Sequence, residues 1–277
     1  MIDLDELARA AAQLDPLPTS STRLAALVCD GAPELGQVVE IVQFDEALTA
    51  SLLQSANSSW SASRSEITTV RDAVIRLGAS PVLAMTLGMN VRRHLADSLP
   101  QYGLDEGDLW RHSVAASLAA DLITQRAAHR PPPETATAAL LHDLGKLVMA
   151  RFLDRALLDQ LGEEQVRGAT RLEAEATVLG IDHAELGGLI ARSWALPESL
   201  VRGIREHGRP RTAGDTLVHA VYLSDALAKA TGAGADDNPD APAFTRSMRE
   251  LGFTAADFDE MRALLEQRLA EVEARFD

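Results

Sequence analysis

The stretch TATAALLHDLGKLVMARF, residues 135–152, places a histidine and an aspartate side by side in an otherwise apolar run. Its small and aliphatic residues predict a buried helix. Burying His142 and Asp143 without partners would be strongly unfavourable. The stretch therefore predicts a helix in the protein interior, together with something that satisfies the two polar groups: a metal ion, a reaction or a set of hydrogen bonds.

Most of the remaining chain shows the same helical periodicity. In residues 34–43 the apolar positions follow the i, i+3, i+4, i+7 spacing of one buried helix face. Asp45 is a predicted N-cap for the helix after it, Gly78 a predicted helix end, and Ser80-Pro81 a predicted helix start. Alternating β-branched runs are absent and aromatic residues make up only 4% of the chain, so the sequence predicts an all-α fold.

A Pro-, Gly- and acid-rich break at residues 97–108 divides the predicted helices into two packed subdomains. We expect an N-terminal helical bundle over residues 1–100 and a C-terminal helical bundle over residues 101–277. After a long helix from about Asp108, further helices are predicted near 163–179, 183–195, 197–206, 214–230 and 255–276. Residues 231–243 are predicted to form a flexible acidic loop.

The composition excludes several classes of function. The 277 residues carry 26 basic and 41 acidic side chains, a formal net charge of −15, which disfavours nucleic acid and anionic membrane surfaces as partners. Cys29 is the single cysteine, so no internal disulfide can form and we interpret it as a small core residue. The N-terminus lacks the pattern of a signal peptide, and no apolar run reaches membrane-spanning length. We expect a cytoplasmic protein.

The histidines are the candidate functional residues. The chain contains seven of them, at positions 94, 112, 129, 142, 183, 207 and 219. His94 and His129 are predicted on the surface and the other five on helices. A single helical histidine is usually a hydrogen-bonded core residue. Several imidazoles together with Asp143 and Asp225 on separate helices are the usual materials of an interior metal site.

Lys146 adds a chemical possibility to the pair. It follows His142 by four residues and Asp143 by three, which places it on the same helix face. An ammonium group there could hold a phosphate oxygen beside a metal-activated water. The alternative is a lysine that extends outward to solvent at the helix end.

A series of motifs in order resembles one known family. They include LDPLPTSSTRLAALV, VVEIVQFDEALTASLLQSANSSW, ITTVRDAVIRLG, LWRHSVAAS, AALLHDLGKLV and HAVYLSDALA. Over about residues 14–230 the chain resembles the HDOD domain, the HD-related output domain of bacterial signalling proteins. His112, His142, Asp143 and Asp225 resemble the ligand set of the HD superfamily of metal-dependent phosphohydrolases. The resemblance implies an all-α fold, an N-terminal subdomain packed on an HD-like bundle, and a regulatory or interaction role.

Further residues resemble a two-metal site. With His183 and His207 added, the set is similar to that of the HD-GYP phosphodiesterases, in which Lys146 also has a counterpart. The resemblance thus implies a divalent transition metal (Fe, Mn, Ni or Zn), as one ion or two, unless the site is vestigial. Gly208 stands where the family often has a second histidine, and no GYP triplet follows, which weakens the enzyme hypothesis and a cyclic-dinucleotide substrate in particular.

Three hypotheses follow. The first, which the sequence favours, is a signalling protein that contacts other signalling proteins, with or without a bound metal. The second is a metal-dependent phosphohydrolase of a nucleotide or other small phosphoester: His112, His142, Asp143 and Asp225 hold one ion, His183 and His207 contribute to a second, and Lys146 and Asp143 are catalytic. The third is a buried polar network that only pins the helices together.

Overall fold

The computed structural model describes residues 4–31, 33–43, 45–57, 66–234 and 240–274. Its helices are α1 (Leu4–Ala12), α2 (Thr19–Cys29), α3 (Leu35–Val42), α4 (Glu46–Ala56), α5 (Val70–Leu77), α6 (Ala79–Leu95), α7 (Asp108–Arg126), α8 (Thr135–Leu141), α9 (Gly145–Met149), α10 (Arg155–Val166), α11 (Arg171–Leu179), α12 (His183–Ser193), α13 (Glu198–Arg205), α14 (Thr216–Ala230), α15 (Ala241–Leu251) and α16 (Ala255–Glu273). Within these ranges no strand forms, which confirms the predicted all-α fold.

Three predicted segments fall partly outside the described residues. They are the acidic loop predicted at 231–243, where positions 235–239 are not described, the motif over residues 38–60, where positions 44 and 58–60 are not described, and the last helix predicted at 255–276, where positions 275–276 are not described.

Local capping explains several helix boundaries. The Asp45 carboxylate accepts a hydrogen bond from the Leu48 backbone N–H at 2.9 Å, as predicted for an N-cap. Gly78 ends α5 with a φ of +84°, also as predicted. The start predicted with Ser80 as N-cap and Pro81 as first helical residue is wrong by two residues, because Gly78 is the N-cap and α6 begins at Ala79.

The single helix predicted over residues 163–179 is wrong. The chain forms α10 and α11 instead, with a break at Gly168, whose φ of +102° does not fit a helix. Thr170 and Glu173 then form a reciprocal capping box that starts α11. The three helices predicted after this point begin and end within two residues of α12, α13 and α14.

One apolar core runs from the first helices to the last. Leu24, Leu83, Leu141 and Leu200, from four well-separated helices, are all fully buried in it. α1 packs against α9 and α12, and α6 packs against α8, so helices before residue 100 touch those that carry the candidate site. The division into subdomains at about residue 100 stays a prediction.

No single helix in the described part of the chain is long and apolar enough to cross a membrane. The pair α5 and α6 passes the same test of length and composition only when taken together, and it is bent by 110°.

Candidate metal centre

His142 and Asp143 lie in a tight turn between α8 and α9, which corrects the prediction of one continuous helix over residues 135–152. The Leu144 N–H donates to the Leu141 carbonyl at 3.1 Å and the Lys146 N–H to the Asp143 carbonyl at 3.0 Å. These i to i+3 bonds tighten the backbone relative to an α-helix. We call residues 142–144 the HD turn.

Gly145 explains how closely the HD turn meets α12. A Cβ atom at this position would overlap the carbonyl oxygen of His183 and lie 2.7 Å from the backbone nitrogen of Gly187. Only glycine allows this approach of backbone to backbone. The first turn of α12 is thereby seated against the HD turn, and His183 is brought beside Asp143.

The structure brings together all six residues predicted as metal ligands. His112 comes from α7, His142 and Asp143 from the HD turn, His183 from the start of α12, His207 from the turn after α13 and Asp225 from α14. All except the half-buried Asp225 are buried. His207 was predicted on a helix, and that position is wrong by two residues because α13 ends at Arg205. The role of the six residues as metal ligands stays a prediction.

The first group consists of His112, His142, Asp143 and Asp225. The two Nε2 atoms are 3.2 Å apart, and each lies 3.4 Å from Asp143 Oδ2. Asp225 Oδ1 lies 3.2 Å from His112 Nε2 and 3.7 Å from His142 Nε2. Four ligands at ordinary transition-metal distances would be roughly 3.3–3.6 Å apart in a tetrahedral site. The five separations, 3.2–3.7 Å, are close to those of a metal site.

Hydrogen bonds fix the ring tautomers so that the Nε2 lone pairs face the centre. The Nδ1 atoms of His112, His142 and His207 lie 2.7–2.9 Å from the carbonyl oxygens of residues 233, 139 and 204. Since a carbonyl oxygen only accepts, each Nδ1 must donate its proton. In a neutral ring the Nε2 then carries a lone pair, which is the arrangement of a metal-binding histidine.

The centre is short of hydrogen-bond donors. Asp225 Oδ1 is buried and has no hydrogen-bond partner in the structure, although two imidazole nitrogens lie near it. A purely structural polar network requires that every member be satisfied. A cation between these atoms would satisfy Asp225 Oδ1, and so would a proton on a facing imidazole, as the third hypothesis requires.

The electrostatics of the centre also attract positive charge. Burial opposes protonation of His142, but the Asp143 and Asp225 carboxylates outweigh it and raise the pKa of His142 to about 9. Burial also opposes protonation of His183, but Glu175 and Asp143 outweigh it and raise the pKa of His183 to about 9. Without a metal these two rings would hold the charge of one divalent ion as protons, and metal binding would release them.

A second group consists of Asp143, His183 and His207. Asp143 Oδ1 lies 3.4 Å from His183 Nε2 and 4.0 Å from His207 Nε2, while its Oδ2 faces the first group. Burial, together with positive charge on His142 and His183, holds the pKa of His207 well below its usual range, which keeps it neutral as a ligand must be. Asp143 would contribute one carboxylate oxygen to each group if both groups held an ion.

Glu175 is a buried carboxylate that sequence reasoning missed. It accepts hydrogen bonds from His183 Nδ1 at 2.6 Å and from the Tyr102 hydroxyl at 2.9 Å. Arg171 Nε and the His183 backbone N–H donate to it as well. Burial would raise the pKa of Glu175, but His183 and Arg171 outweigh it and lower the pKa to about 2. Glu175 therefore orients His183 toward the second group.

Two lysines complete the charge balance. Lys146 is buried, with Nζ 2.7 Å from Asp143 Oδ2, so it points to the centre and the solvent-directed alternative is wrong. Lys229, which the sequence reasoning did not single out, lies 2.9 Å from Asp225 Oδ2. Burial would raise the pKa of the Asp225 carboxyl, but Lys229 outweighs it and holds that pKa well below its usual range.

The remaining histidines lie outside the centre. His129 is exposed and His94 half-buried, in line with the predicted surface positions. His219 is buried in α14, where its Nδ1 lies 2.9 Å from Ser247 Oγ and its Nε2 3.2 Å from the Thr212 carbonyl. Gly208 packs against Leu172: a Cβ at position 208 would overlap the end of the leucine side chain. Leucine thus fills the space where a second histidine would extend.

The donor set fits a transition metal. Imidazole nitrogen with carboxylate oxygen suits Fe, Mn, Ni and Zn. The described residues include two groups, His112–His142–Asp143 and Asp143–His183–His207, whose donor atoms lie within 4.8 Å of one another. Either group could hold an ion.

Fold and site together define an all-α protein built around a buried histidine–aspartate centre. The sequence profile of the HDOD domain matches residues 14–210, well over half of the 277 residues. The chain therefore belongs to the HDOD domain family.

Solved structures agree with this assignment. An HDOD domain protein of unknown function from Geobacter sulfurreducens superposes with a TM-score of 0.71 at 22% identity, over 98% of this chain and 97% of that one. A protein from Marinobacter aquaeolei, described as a candidate signal transduction protein, gives 0.70 at 23% identity, over 98% of this chain and 64% of that one. At these identities the likeness shows the fold alone.

Two further relatives resemble the chain. A candidate phosphohydrolase from Shewanella amazonensis superposes with a TM-score of 0.65 at 25% identity, over 94% of this chain and 93% of that one. An uncharacterized protein from Treponema pallidum is 22% identical over 192 residues, which is 69% of this chain and 37% of that protein. The chain thus spans little more than a third of that relative's length.

Proposed function

We propose that this chain is a bacterial signal-transduction protein whose buried centre binds divalent metal ions and hydrolyses a small phosphoester. The observation that supports the proposal is the convergence of four imidazole Nε2 atoms and two carboxylates in one place, with Lys146 beside them. From the sequence alone an interaction role ranked first. The geometry favours the phosphohydrolase because the ligands are intact and oriented.

In this proposal Asp143 joins two unequal sites. His112, His142 and Asp225 complete the first site with Asp143, giving four protein ligands. His183 and His207 complete the second, giving three. Four protein ligands are typical of a closed site, whereas three leave a position open for water or substrate. A bound divalent ion would polarise a phosphoryl oxygen and lower the pKa of a bound water.

The chain's own residues bind and orient the phosphate. Lys146 and Arg171 line the same cavity as the second group and place positive charge where phosphate oxygens would lie. Glu175 holds His183 in one ring orientation, and Lys229 keeps Asp225 ionised. These contacts preorganise the centre, so little rearrangement is needed when the ligand binds.

Metal analysis with a matched control tests the proposal. Wild-type protein, His142→Ala and Asp143→Ala are reconstituted with Fe, Mn, Ni or Zn, and metal is counted by mass spectrometry. His219→Gln is the control, because His219 is a buried histidine outside the centre. We expect stoichiometric metal in wild type and control, little in the other two variants, and turnover in a phosphoester panel only where metal is bound.

Three outcomes would contradict parts of this proposal. Metal-free wild type after reconstitution would exclude the metal centre. Bound metal without turnover of any phosphoester would exclude the hydrolase and leave a metal-binding signalling protein. If His142→Ala lowered the melting temperature but no metal raised that of wild type, the centre would be the structural network of the third hypothesis.

A second candidate function is the regulatory interaction module, with other signalling proteins as partners. Ile75 of α5 is 60% exposed and Met89 of α6 is 39% exposed, so both side chains offer apolar surface to a partner. Both lie before residue 100, whereas the donor groups found among the described residues all lie after it. A docking surface in that half would use these side chains.

Complementation of a deletion strain separates the two candidates. An interaction module predicts that Ile75→Asp with Met89→Asp abolishes the signalling output while Asp143→Asn retains it. The hydrolase predicts the reverse. Val166→Asp is the control for a surface charge, since Val166 is exposed on α10.

A further inference from the structure

The cavity over the metal centre is lined by chemically different side chains. Its volume is about 300 Å³. The lining combines metal-ligand candidates and cationic side chains with aromatic rings. The aromatic residues are Tyr222, Phe244 and Phe258.

The charges around the cavity leave room for an anion. Three carboxylates line it (Asp143, Asp225, Asp240), and three cationic side chains line it as well (Lys146, Arg171, Lys229). These formal charges cancel. Each divalent ion bound at the centre would therefore leave the cavity with a net positive charge, which attracts an anionic ligand such as a phosphate.

The aromatic wall comes from the last two helices. Phe244 of α15 and Phe258 of α16 form an edge-to-face pair, with ring centroids 5.0 Å apart and planes at 80°. Both are half-buried, so their rings still contribute to the cavity surface. The Tyr222 hydroxyl donates to the Asp240 carbonyl at 3.0 Å and holds the start of α15. All of these residues lie beyond the matched HDOD region.

One helix contributes both charged and aromatic residues to the lining. Tyr222, Asp225 and Lys229 follow the i, i+3, i+7 spacing along α14 and all line the cavity. Three residues correspond to about 4.5 Å along a helix axis, so the aromatic Tyr222 lies about one turn from Asp225. A phosphate held near Asp225 by a bound metal would therefore have an aromatic side chain close to it. A volume of about 300 Å³ is at the small end of ligand cavities.

We propose that Phe244 and Phe258 determine specificity, selecting a phosphomonoester with one flat aromatic ring system, of the size of a nucleoside monophosphate. The inference rests on the proposed function, because the same centre would bind the phosphate. A planar ring stacks favourably on an aromatic side chain, whereas a bare sugar phosphate gains nothing there. The cavity's size disfavours a dinucleotide.

Calorimetric titration of the metal-loaded full chain tests the inference through binding rather than turnover. The probes are adenosine 5′-monophosphate, phenyl phosphate, ribose 5-phosphate and inorganic phosphate. Wild type is expected to bind the adenosine compound more tightly than ribose 5-phosphate, by roughly 5- to 150-fold, the range for one stacked base. In Phe244→Leu and Phe258→Leu this ratio is expected to fall toward one.

Phe253→Leu is the matched control. A second, smaller cluster of buried apolar residues lies between α7, α14, α15 and α16. Phe253 packs against this cluster, as Phe244 and Phe258 do, but does not line the cavity. It should keep the wild-type ratio, so a general disturbance of α15 and α16 is distinguished from loss of stacking. Phenyl phosphate shows whether the ring must be a nucleobase. If it binds more tightly than inorganic phosphate, the aromatic wall recognises any aromatic phosphate ester.

Different experimental outcomes would contradict the inference and the proposed function. If ribose 5-phosphate and adenosine 5′-monophosphate bind equally, or if the preference survives in both leucine variants, the aromatic wall does not select the ligand, although the hydrolase proposal stands. If none of the four probes binds to metal-loaded protein, the phosphate site itself is wrong and both proposals fall.

Discussion

The interior under α2, α4 and α6 and the interior between α7 and α14 are filled in opposite ways. In the first, fully buried aliphatic side chains such as Leu24, Leu52 and Leu83 contact one another. In the second, four histidines and two aspartates lie close together. The first interior is complete once water is excluded. If the second holds a cation, as proposed, its stability should depend on that ligand.

The largest loss of stability is expected where the backbone of Gly145, next to the HD turn, meets the backbone of α12. Gly145→Ala would force a methyl group into the His183 carbonyl oxygen, and α12 could not remain on the HD turn. We expect a loss of more than about 4 kcal/mol in the free energy of unfolding, a size that marks a severe packing fault. Chemical denaturation measures it, and metal content should fall together with stability.

Gly162→Ala is the counterpart. Gly162 lies inside α10 with open space around it, so alanine should stabilise the protein by about 0.5–1 kcal/mol. Equal effects at positions 145 and 162 would show that helix propensity, rather than the approach of α12, governs both.

The stability of the apolar interior should not depend on whether metal is bound. Leu83→Ala removes a fully buried side chain from α6, and cavity formation in a packed core costs about 2–5 kcal/mol. We expect the same loss in the presence and in the absence of a chelator, with wild-type metal stoichiometry. A loss that appears only with the chelator would mean that the two interiors are coupled, and the comparison would fail.

The sequence was sufficient for the helices because their cause is local. Apolar spacing predicted α12, α13 and α14 to within two residues, and side-chain capping at Asp45 was visible from residue type. The break between α10 and α11 was not predicted, although Gly168 and the Thr170–Glu173 capping box are sequence signals for it. The six candidate ligands came from the family resemblance rather than from spacing.

The arrangement of the centre could not be predicted, because its causes lie far apart in the chain. The HD turn follows the pattern of an uninterrupted helix, and nothing next to Gly145 signals that α12 must touch it. Glu175 is one of two glutamates in α11, and only its position four residues before buried Leu179 sets it apart from Glu173. Which of the two is buried depends on the packing of α11 against the rest of the fold.

That pair of glutamates provides a finer test of the polar interior. Glu175→Gln keeps the shape of the side chain but removes the charge that orients His183. Loss of such a supporting partner typically weakens a metal site 10- to 100-fold, and we expect this at the second site only. Metal titration followed by calorimetry should show one weakened and one unchanged binding step.

Glu173→Gln is the control for this experiment. It changes the exposed capping box of α11, so a cost of about 1 kcal/mol or less in stability is expected, with both metal-binding steps unchanged. If Glu175→Gln also left both steps unchanged, His183 would not depend on Glu175 for its orientation.

The smallest effect concerns a carboxylate that shares α7 with His112 but lies outside the centre. Burial raises the pKa of Asp121 to about 6, and Arg268 offsets this only in part. At Asp143, by contrast, burial is outweighed by His142 and Lys146, which hold its pKa well below the usual range. Two acids in the same part of the fold therefore differ in the positive charge near them.

Because the folded state holds the Asp121 proton more tightly than the unfolded chain, this residue's contribution to stability is present at about pH 4 and declines as the pH rises to about 6. Asp121→Asn should match wild type near pH 4 and be more stable by about 1–2 kcal/mol at pH 7; a shift of two pKa units sets the upper limit at about 2.8 kcal/mol, and partial exposure lowers it. Urea denaturation at both pH values measures the difference. An asparagine variant that is less stable at pH 7 would mean that Asp121 is ionised and paired with Arg268, in the manner of the acids at the centre.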